Sequence, residues 1–270
     1  MKKSWNDSWK KFYTSILAEN RIIVFGHRGV SSEAPENTIA AFKKLLEQKI
    51  TGVELDVMLC ATGEIVVSHD SNLKKVTGLD IEIGSTSLKE LKEYDVGSWF
   101  SKEFNGEKIP LLEEVFELLG KNVIYNIETK TETTKTGLLE EKLLEMIDRY
   151  GLQDRCIISS FNPLSLKSIN RLNPQAPISL IYSRSKRLPF YLRHGEGRLF
   201  TKNLFIQPYY KLLNSFTSFI HREIFGNPII TWTIDDPQNA LKMAGLGVIG
   251  VISNKPLKIM GALKNSTLVS

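Results

Sequence analysis

The sequence has no long hydrophobic run and only two cysteines among its 270 residues. No apolar stretch reaches the ~20 residues that a membrane-spanning helix requires, and the first 20 residues lack the apolar region and cleavage site of a secretory signal peptide. We therefore expect Cys60 and Cys156 to be buried thiols in a reducing cytoplasm, not a disulfide or a zinc site. No nucleic-acid-binding motif is present either, which argues against a nucleic-acid partner.

Short apolar runs rich in Val and Ile alternate with helix-like stretches along the chain, and such runs are typical of strands covered on both faces. The predicted strands are 22–25, 52–58, 65–68, 122–128, 156–160, 178–182, 204–207, 229–234 and 248–252. The predicted helices are 38–48, 111–119, 137–150, 163–172, 211–225 and 237–244. About eight strand–helix units in roughly 250 residues predict an α/β fold, a (β/α)8 TIM barrel, with one strand left over. A doubly wound open sheet is the alternative, but the glycine-rich turn of a dinucleotide fold is absent after the first strand.

Two segments lie outside this alternation. Residues 71–109 follow the third predicted strand, are polar and lack a long apolar run, which predicts a small insertion. Residues 1–21 place Trp5 and Trp9 near helical spacing and predict a helical lead that packs on a barrel domain formed by 22–270. A basic helix lying on a membrane surface is the alternative for this lead.

Positive charge is concentrated in residues 184–222, which hold eight Lys and Arg side chains against Glu196 alone. Aromatic side chains lie among these charges, namely Phe190, Tyr191, Phe200 and Phe205. A basic, aromatic stretch favours an anionic partner, and peripheral contact with a membrane is one such interaction. A solvated basic face is the alternative.

Ionisable side chains lie at the ends of four successive predicted strands, which is where barrel enzymes carry their chemistry. The groups are His27-Arg28, then Glu54 and Asp56, then His69, and finally Glu128 and Lys130. Because Glu54 and Asp56 are two residues apart on a strand, they face the same side. Three converging carboxylates repel one another unless a cation lies between them, and an all-oxygen site suits Mg²⁺ or Ca²⁺.

The remaining polar groups complete a site for a phosphate ester. The two histidines suit general acid and general base catalysis. Arg28 and Lys130 add fixed positive charge that suits a phosphate group.

Several motifs in this sequence strongly resemble the glycerophosphodiester phosphodiesterase family. They are GHRG at 26–29, PENT at 35–38, ELD at 54–56 and SHD at 68–70, with looser matches at 97–100, 109–110, 126–130 and 232–233. The resemblance extends from about residue 22 to residue 257.

The resemblance implies a barrel with a small insertion and assigns roles to particular residues. It implies that Glu54, Asp56 and Glu128 bind Mg²⁺ or Ca²⁺ and that His27 and His69 are acid and base. It further implies that Arg28 and Lys130 hold the phosphate, while Phe161 and Trp232 line the pocket near the glycerol or the leaving group. The implied reaction cleaves a glycerophosphodiester to glycerol 3-phosphate and an alcohol. The nucleophile is either the 2-hydroxyl of the glycerol or a water molecule.

Two segments depart from the family pattern. Many relatives have WTVN and later ITDKP, where this chain has Trp232-Thr233-Ile234-Asp235 and Ile252-Ser253-Asn254-Lys255-Pro256. We expect both departures to lie away from the carboxylates and to affect substrate preference. Two other functions stay open: a lysophospholipase D-type enzyme that acts on lysophospholipids at a membrane surface, and a non-catalytic binding protein on the same scaffold.

Overall fold

The computed structural model describes Trp5, Asp7, Trp9–Lys11, Thr14 and Arg193 together with residues 21–131, 137–185, 195–202 and 204–265. The strands are β1 (Ile23–His27), β2 (Gly52–Leu59), β3 (Ile65–Val67), β4 (Ile124–Thr129), β5 (Cys156–Ser160), β6 (Ile178–Tyr182), β7 (Phe205–Pro208), β8 (Ile230–Thr231) and β9 (Gly250–Ser253). Eight of them are parallel and run in the order β7-β6-β5-β4-β2-β1-β9-β8. Bridges from Ile206 to Ile229 and from Tyr209 to Trp232 join the two ends, so the ring is nearly closed. The predicted (β/α)8 barrel is confirmed, and the open sheet is wrong.

The helices lie between the strands and cover the outside of the barrel. They are α1 (Ile39–Glu47), α2 (Lys74–Thr77), α3 (Leu88–Leu91), α4 (Leu112–Leu119), α5 (Leu138–Arg149), α6 (Pro163–Leu172), α7 (Ser215–Phe219), α8 (Pro237–Gly245) and α9 (Pro256–Lys264). Single turns of tighter helix occur at Ile83–Ser85, Lys102–Phe104, Gly120–Asn122, Glu196–Phe200 and Tyr210–Leu212, and a wider π-type turn at Ile220–Ile224. None of the helices in the described part of the chain has the length and hydrophobicity that spanning a bilayer requires.

Nine strands were predicted for an eight-stranded barrel, and β3 is the additional one. It pairs antiparallel with β2, with Val57 opposite Val67, and it takes no part in the ring. Gly63 adopts a φ of 88° in the short connection between the two strands, which suits a residue without a side chain. The hairpin carries the chain outward into the insertion.

The insertion at 71–109 has a small core of its own. Leu73, Ile83 and Leu91 pack in it against Met58 and Val66 of the hairpin. The predicted insertion after the third strand is therefore confirmed, and it lies beside the end of β3.

One helix prediction needs correction, and one helix of the barrel was not predicted. The predicted helix 211–225 begins only at Ser215, because Asn214 caps its first turn by accepting a hydrogen bond from the backbone N–H of Thr217 (2.9 Å). Helix α9 was not predicted, although Pro256 in its first turn and the buried pair Ile259 and Leu263, four residues apart, are typical of a helix.

Trp9 closes the amino-terminal end of the barrel. It is 1% exposed and packs with inward-facing residues of the strands, including Phe25 and Ile230. Its ring meets that of Phe205 edge to face, with centroids 5.7 Å apart.

Trp5 is also buried, in the shell between barrel and helices. The membrane-surface alternative for residues 1–21 depended on these two tryptophans, and both are buried in the protein. Of the aromatic residues noted at 184–222, Phe205 is buried, whereas Phe190, Tyr191 and the side chain of Phe200 lie outside the described residues.

Candidate active site

Three carboxylates converge at the carboxyl end of the barrel. Glu54 and Asp56 project inward from β2, and Glu128 lies beside Asp56 on the neighbouring strand β4. Each offers an oxygen atom within 4.8 Å of the others, and all three side chains are buried. The sequence analysis predicted this convergence, because inward-facing side chains at the ends of adjacent strands meet inside the barrel.

Two buried cations hold Asp56 in place. Nε of Arg28 lies 3.2 Å from Oδ2 of Asp56, and Nζ of Lys130 lies 2.9 Å from Oδ1. Lys130 also contacts Oε1 of Glu128 at 2.5 Å. Asn37, which the sequence analysis did not single out, donates a hydrogen bond to Asp56 Oδ2 (2.9 Å). Its place in the PENT motif, just before α1, was the available signal.

Arg28 and Asn37 both have a φ of 58°, in the left-handed region that side chains other than glycine rarely adopt. The backbone N–H of Arg28 donates to the backbone oxygen of Glu54 (2.8 Å) and lies 3.1 Å from Oε2 of its side chain. Nη1 of Arg28 donates to Glu36 (3.0 Å). Backbone strain concentrated at the carboxylate cluster is typical of functional sites.

His27 is positioned by two residues from the far end of the chain, because β1 pairs with β9. Its Nδ1 lies 2.6 Å from Oδ1 of Asn254, and its Nε2 lies 3.9 Å from Oε2 of Glu54. The amide of Asn254 donates through Nδ2 to Asp235 (2.7 Å), whose other oxygen accepts from the Asn254 backbone N–H (2.8 Å). Among the described residues, neither Asp235 nor Asn254 bonds to the three carboxylates, as expected, but Asn254 contacts His27, so one of the two departures reaches a predicted catalytic residue.

The second histidine follows the short strand β3. Nδ1 of His69 lies 2.8 Å from Oδ1 of Asp70, so the ring has a carboxylate partner from the adjacent residue. The side chain is about one-third exposed, which leaves it open to the pocket.

The buried charges influence one another's protonation. Burial, Asp56 and Glu128 together raise the pKa of Glu54 well above its ordinary value, and burial likewise raises the pKa of Glu128. Against the effect of burial, Lys130 and Arg28 lower the pKa of Asp56. Burial and the charge of Arg28 lower the pKa of His27 to about 4, and burial lowers the pKa of His69.

These carboxylates fit a divalent cation. All the available ligands are oxygen atoms, which Mg²⁺ and Ca²⁺ prefer. Asp56 is already paired with two cations, whereas Glu54 and Glu128 are buried with a raised pKa and would gain most from an added positive charge.

A cavity of about 450 Å³ adjoins the cluster. His69, Glu128 and Lys130 form its polar side, and Phe161 and Trp232 form its apolar side. The two rings meet edge to face with centroids 5.5 Å apart, and the Trp232 indole N–H donates to the Gln207 carbonyl (3.0 Å). A larger groove of about 910 Å³ lies at the opposite end of the strands, beside Trp5, and the described residues that line it include neither a histidine nor any of the three buried carboxylates.

A (β/α)8 barrel with three carboxylates, two cations and two histidines at its carboxyl end defines a hydrolase that acts on phosphate esters. Comparison with known proteins agrees. The model of the glycerophosphoryl diester phosphodiesterase family matches residues 27–258. A glycerophosphodiester phosphodiesterase of Caldanaerobacter subterraneus subsp. tengcongensis is 34% identical over 246 residues, which cover 90% of this chain and 98% of that protein.

Two further comparisons bear on the substrate. A phosphodiesterase of Oleispira antarctica, solved with its product sn-glycerol-3-phosphate, has a TM-score of 0.77 at 28% identity and covers 92% of this chain and 99% of its own. The human lysophospholipase D GDPD1 is 27% identical over 271 residues, covering 88% of this chain and 85% of that protein. The chain belongs to the glycerophosphoryl diester phosphodiesterase family and is an enzyme of that class.

Proposed function

We propose that this enzyme hydrolyses glycerophosphodiesters to glycerol 3-phosphate and an alcohol, with Glu54, Asp56 and Glu128 as the ligands of a divalent cation. The observation that carries the proposal is the convergence of these three buried carboxylates beside Arg28 and Lys130. The Oleispira relative supports it, because that enzyme was solved with glycerol 3-phosphate as its product.

The cation is Mg²⁺ or Ca²⁺, and when bound it would neutralise phosphate charge that develops during the reaction. Arg28 and Lys130 are the groups that hold the phosphate. The ammonium group of Lys130 contacts Asp56 and Glu128, so its position is fixed before a phosphate oxygen binds to it.

His27 is the better candidate for the general base. The Nδ2 of Asn254 faces the carboxylate of Asp235, so its Oδ1 accepts and the Nδ1 of His27 must donate. This leaves Nε2 of His27 without a proton and directed towards the carboxylate cluster, 3.9 Å from Glu54. That nitrogen takes the proton of the attacking hydroxyl, from either the glycerol 2-position or water.

His69 is then the general acid. It lines the cavity beside Lys130 and has Asp70 as a carboxylate partner on Nδ1. It acts in its imidazolium form, which the carboxylates of Asp56 and Asp70 favour, so that Nδ1 donates to Asp70 and Nε2 also carries a proton. Nε2 delivers that proton to the oxygen of the departing alcohol as the bond from that oxygen to phosphorus breaks, which leaves His69 neutral. Phe161 and Trp232 exclude water from one side of the pocket and contact the carbon atoms of the substrate.

Side-by-side assays test the reaction and its cation. Glycerophosphocholine cleavage is measured with Mg²⁺, with Ca²⁺ and with EDTA, for the wild type, Glu54→Gln and the matched control Glu113→Gln on the exposed face of α4. Activity that needs a cation, persists in Glu113→Gln and is lost in Glu54→Gln supports the proposal. Full activity in EDTA refutes the cation assignment, and product binding without turnover would favour the non-catalytic binding protein.

A lysophospholipase D-type activity is the second candidate, with lysophospholipid as substrate. The apolar wall of Phe161 and Trp232 favours it, because that wall would accept an acyl chain, and so does the human relative. Lysophosphatidylcholine in the same assay distinguishes the two, since cleavage of the water-soluble diester alone would exclude the lipid activity.

For its setting, we propose a cytoplasmic enzyme whose barrel domain spans 22–270, with 71–109 inserted and 1–21 as a lead. Two buried free thiols, Cys60 and Cys156, are what a reducing compartment favours. Fractionation of cells that express a tagged copy tests the location; recovery outside the cytoplasm and its membrane surface would refute it. Any peripheral membrane contact would come from the basic stretch and not from the two buried tryptophans of the lead.

A further inference from the structure

The segment Ser215–Ile224 consists of α7 and the π-type turn after it. Polar side chains of this segment face the barrel and apolar ones face outward, which is the reverse of an ordinary helix packed on a barrel. Its buried residues are polar. Ser218 donates to the carbonyl of Leu246 (2.6 Å), and the ring of His221 bonds the hydroxyl of Tyr182 (2.8 Å). A helix that packs on a barrel ordinarily turns its apolar side chains inward.

The outward face of this segment is apolar instead. Phe216, Phe219, Ile224 and the adjacent Phe225 are 72%, 52%, 59% and 46% exposed. Phe216 is the most exposed large apolar side chain in the described part of the chain. We call these four residues the apolar face. An exposed cluster of this kind is typical of a surface that meets an apolar partner.

Basic side chains lie beside the apolar face, where Arg222 also pairs with Glu223 (3.6 Å). In sequence, residues 184–226 hold eight Lys and Arg side chains against Glu196 and Glu223, and two of the eight, at 186 and 187, lie outside the described residues. Arg198 stacks on the ring of Phe225, with its guanidinium carbon 4.0 Å from the ring centroid. Arg222 belongs to the segment and Lys211 lies four residues before it, and both are exposed. Aromatic side chains interleaved with basic ones match a bilayer that has anionic headgroups above an apolar interior.

The apolar face lies on the flank of the barrel. Ser218 and Arg222 both donate to the carbonyl of Leu246, which connects the end of α8 to β9 at the amino-terminal end of the strands. A surface that receives the apolar face would therefore contact the side of the barrel and leave the active-site opening free.

We propose that the apolar face, with the basic side chains around it, docks the enzyme peripherally on an anionic lipid surface. Charge distinguishes this partner from a second copy of the chain, because two basic faces repel each other. The contact does not require that the proposed reaction be correct, and the two are measured separately.

Vesicle co-sedimentation tests the contact. The full chain is mixed at low ionic strength with phosphatidylcholine vesicles, with and without phosphatidylglycerol. The variants are Phe216→Ser/Phe219→Ser and the control Leu138→Ser, which removes a similarly exposed side chain from α5. We expect the wild type and Leu138→Ser to bind the anionic vesicles and to be released by salt. The double variant should bind roughly a hundredfold more weakly, about tenfold for each phenylalanine.

Activity on glycerophosphocholine without vesicles shows that each variant is folded, and it should equal that of the wild type. Absence of wild-type binding to anionic vesicles, or equal binding by the double variant, would overturn the proposal. A dimer of the wild type, detected without lipid by sedimentation velocity and abolished in the double variant, would assign the face to self-association and overturn it as well. If the wild type does not cleave the diester at all, the proposed reaction is refuted and the membrane contact is not affected.

Discussion

Two isosteric substitutions in the carboxylate cluster should differ sharply in their effect on stability although both remove one negative charge. Asp56 is held by Arg28, Lys130 and a hydrogen bond from Asn37. Glu54 has no such ion pair with Arg28 or Lys130; its side-chain contact there is the backbone N–H of Arg28. Asp56→Asn therefore removes the carboxylate that both cations share and leaves Arg28 with Glu36 and Lys130 with Glu128, whereas Glu54→Gln relieves repulsion between buried carboxylates.

The expected magnitudes differ by several kcal/mol. Breaking a buried ion pair by removing one partner costs about 3–5 kcal/mol, so Asp56→Asn should lower the free energy of unfolding by that amount. Glu54→Gln keeps an oxygen acceptor for the Arg28 N–H and should change the free energy of unfolding by no more than about 1 kcal/mol. The pKa shifts point the same way, because that of Glu54 is raised by burial and by its carboxylate neighbours.

Urea unfolding at neutral pH in EDTA measures both variants in the cation-free state. Repeating the titration with Mg²⁺ or Ca²⁺ at about 100 times the dissociation constant should stabilise the wild type by about 2.7 kcal/mol and both variants much less. Equal losses in EDTA, or a larger loss for Glu54→Gln, would refute the assignment of charges. Stabilisation of both variants by the cation to the wild-type extent would refute the ligand assignment.

Further predictions concern the periphery of the site and the floor of the barrel. Burial lowers the pKa of His221 to about 4 from 6.5, so the stability that its neutral ring contributes is present above pH 6.5 and is lost as the pH falls towards 4. Between pH 7 and pH 5 the wild type should lose about 2 kcal/mol more than His221→Gln in urea unfolding, and equal losses would contradict this. Asn254→Asp sets two carboxylates in contact through Asp235 and should lower kcat at least about tenfold with KM unchanged, while adding Asp235→Asn should restore most of it. Kinetics on glycerophosphocholine check this, and a double variant no better than the single one would count against positioning of His27. Trp9→Ala should cost about 3–5 kcal/mol of stability with KM unchanged, and a loss below about 1 kcal/mol would argue against its packing role.

Much of this molecule was accessible from local sequence patterns. A strand that is covered on both faces appears in the sequence as a continuous apolar run of Val and Ile. Charged residues at the end of such a run would be costly to bury alone, so they indicate a site that several of them share. That is why Glu54, Asp56 and Glu128 could be grouped before any coordinates. The extra strand was counted, but its identity depended on the antiparallel pairing of β3 with β2.

The contacts that were missed are those between distant parts of the chain. Asn254 reaches His27 only because the last strand closes the ring against the first, and pairing across 227 residues leaves no periodic signal. The apolar face was missed for another reason. A helix that buries Ser218 and His221 and exposes Phe216 has the same alternation as one that does the reverse, and periodicity alone does not say which side faces the barrel.

The position of β3 outside the ring has a consequence for how such enzymes diversify. The eight parallel strands close without it, so the hairpin and the insertion that follows it can change in length and composition while the barrel keeps its register. His69 travels with that hairpin, whereas His27 and the three carboxylates belong to the ring. One of the two proposed catalytic histidines is therefore carried on a hairpin outside the ring, while the proposed cation site belongs to the ring itself, so a change in the insertion alone could alter which leaving group is accommodated.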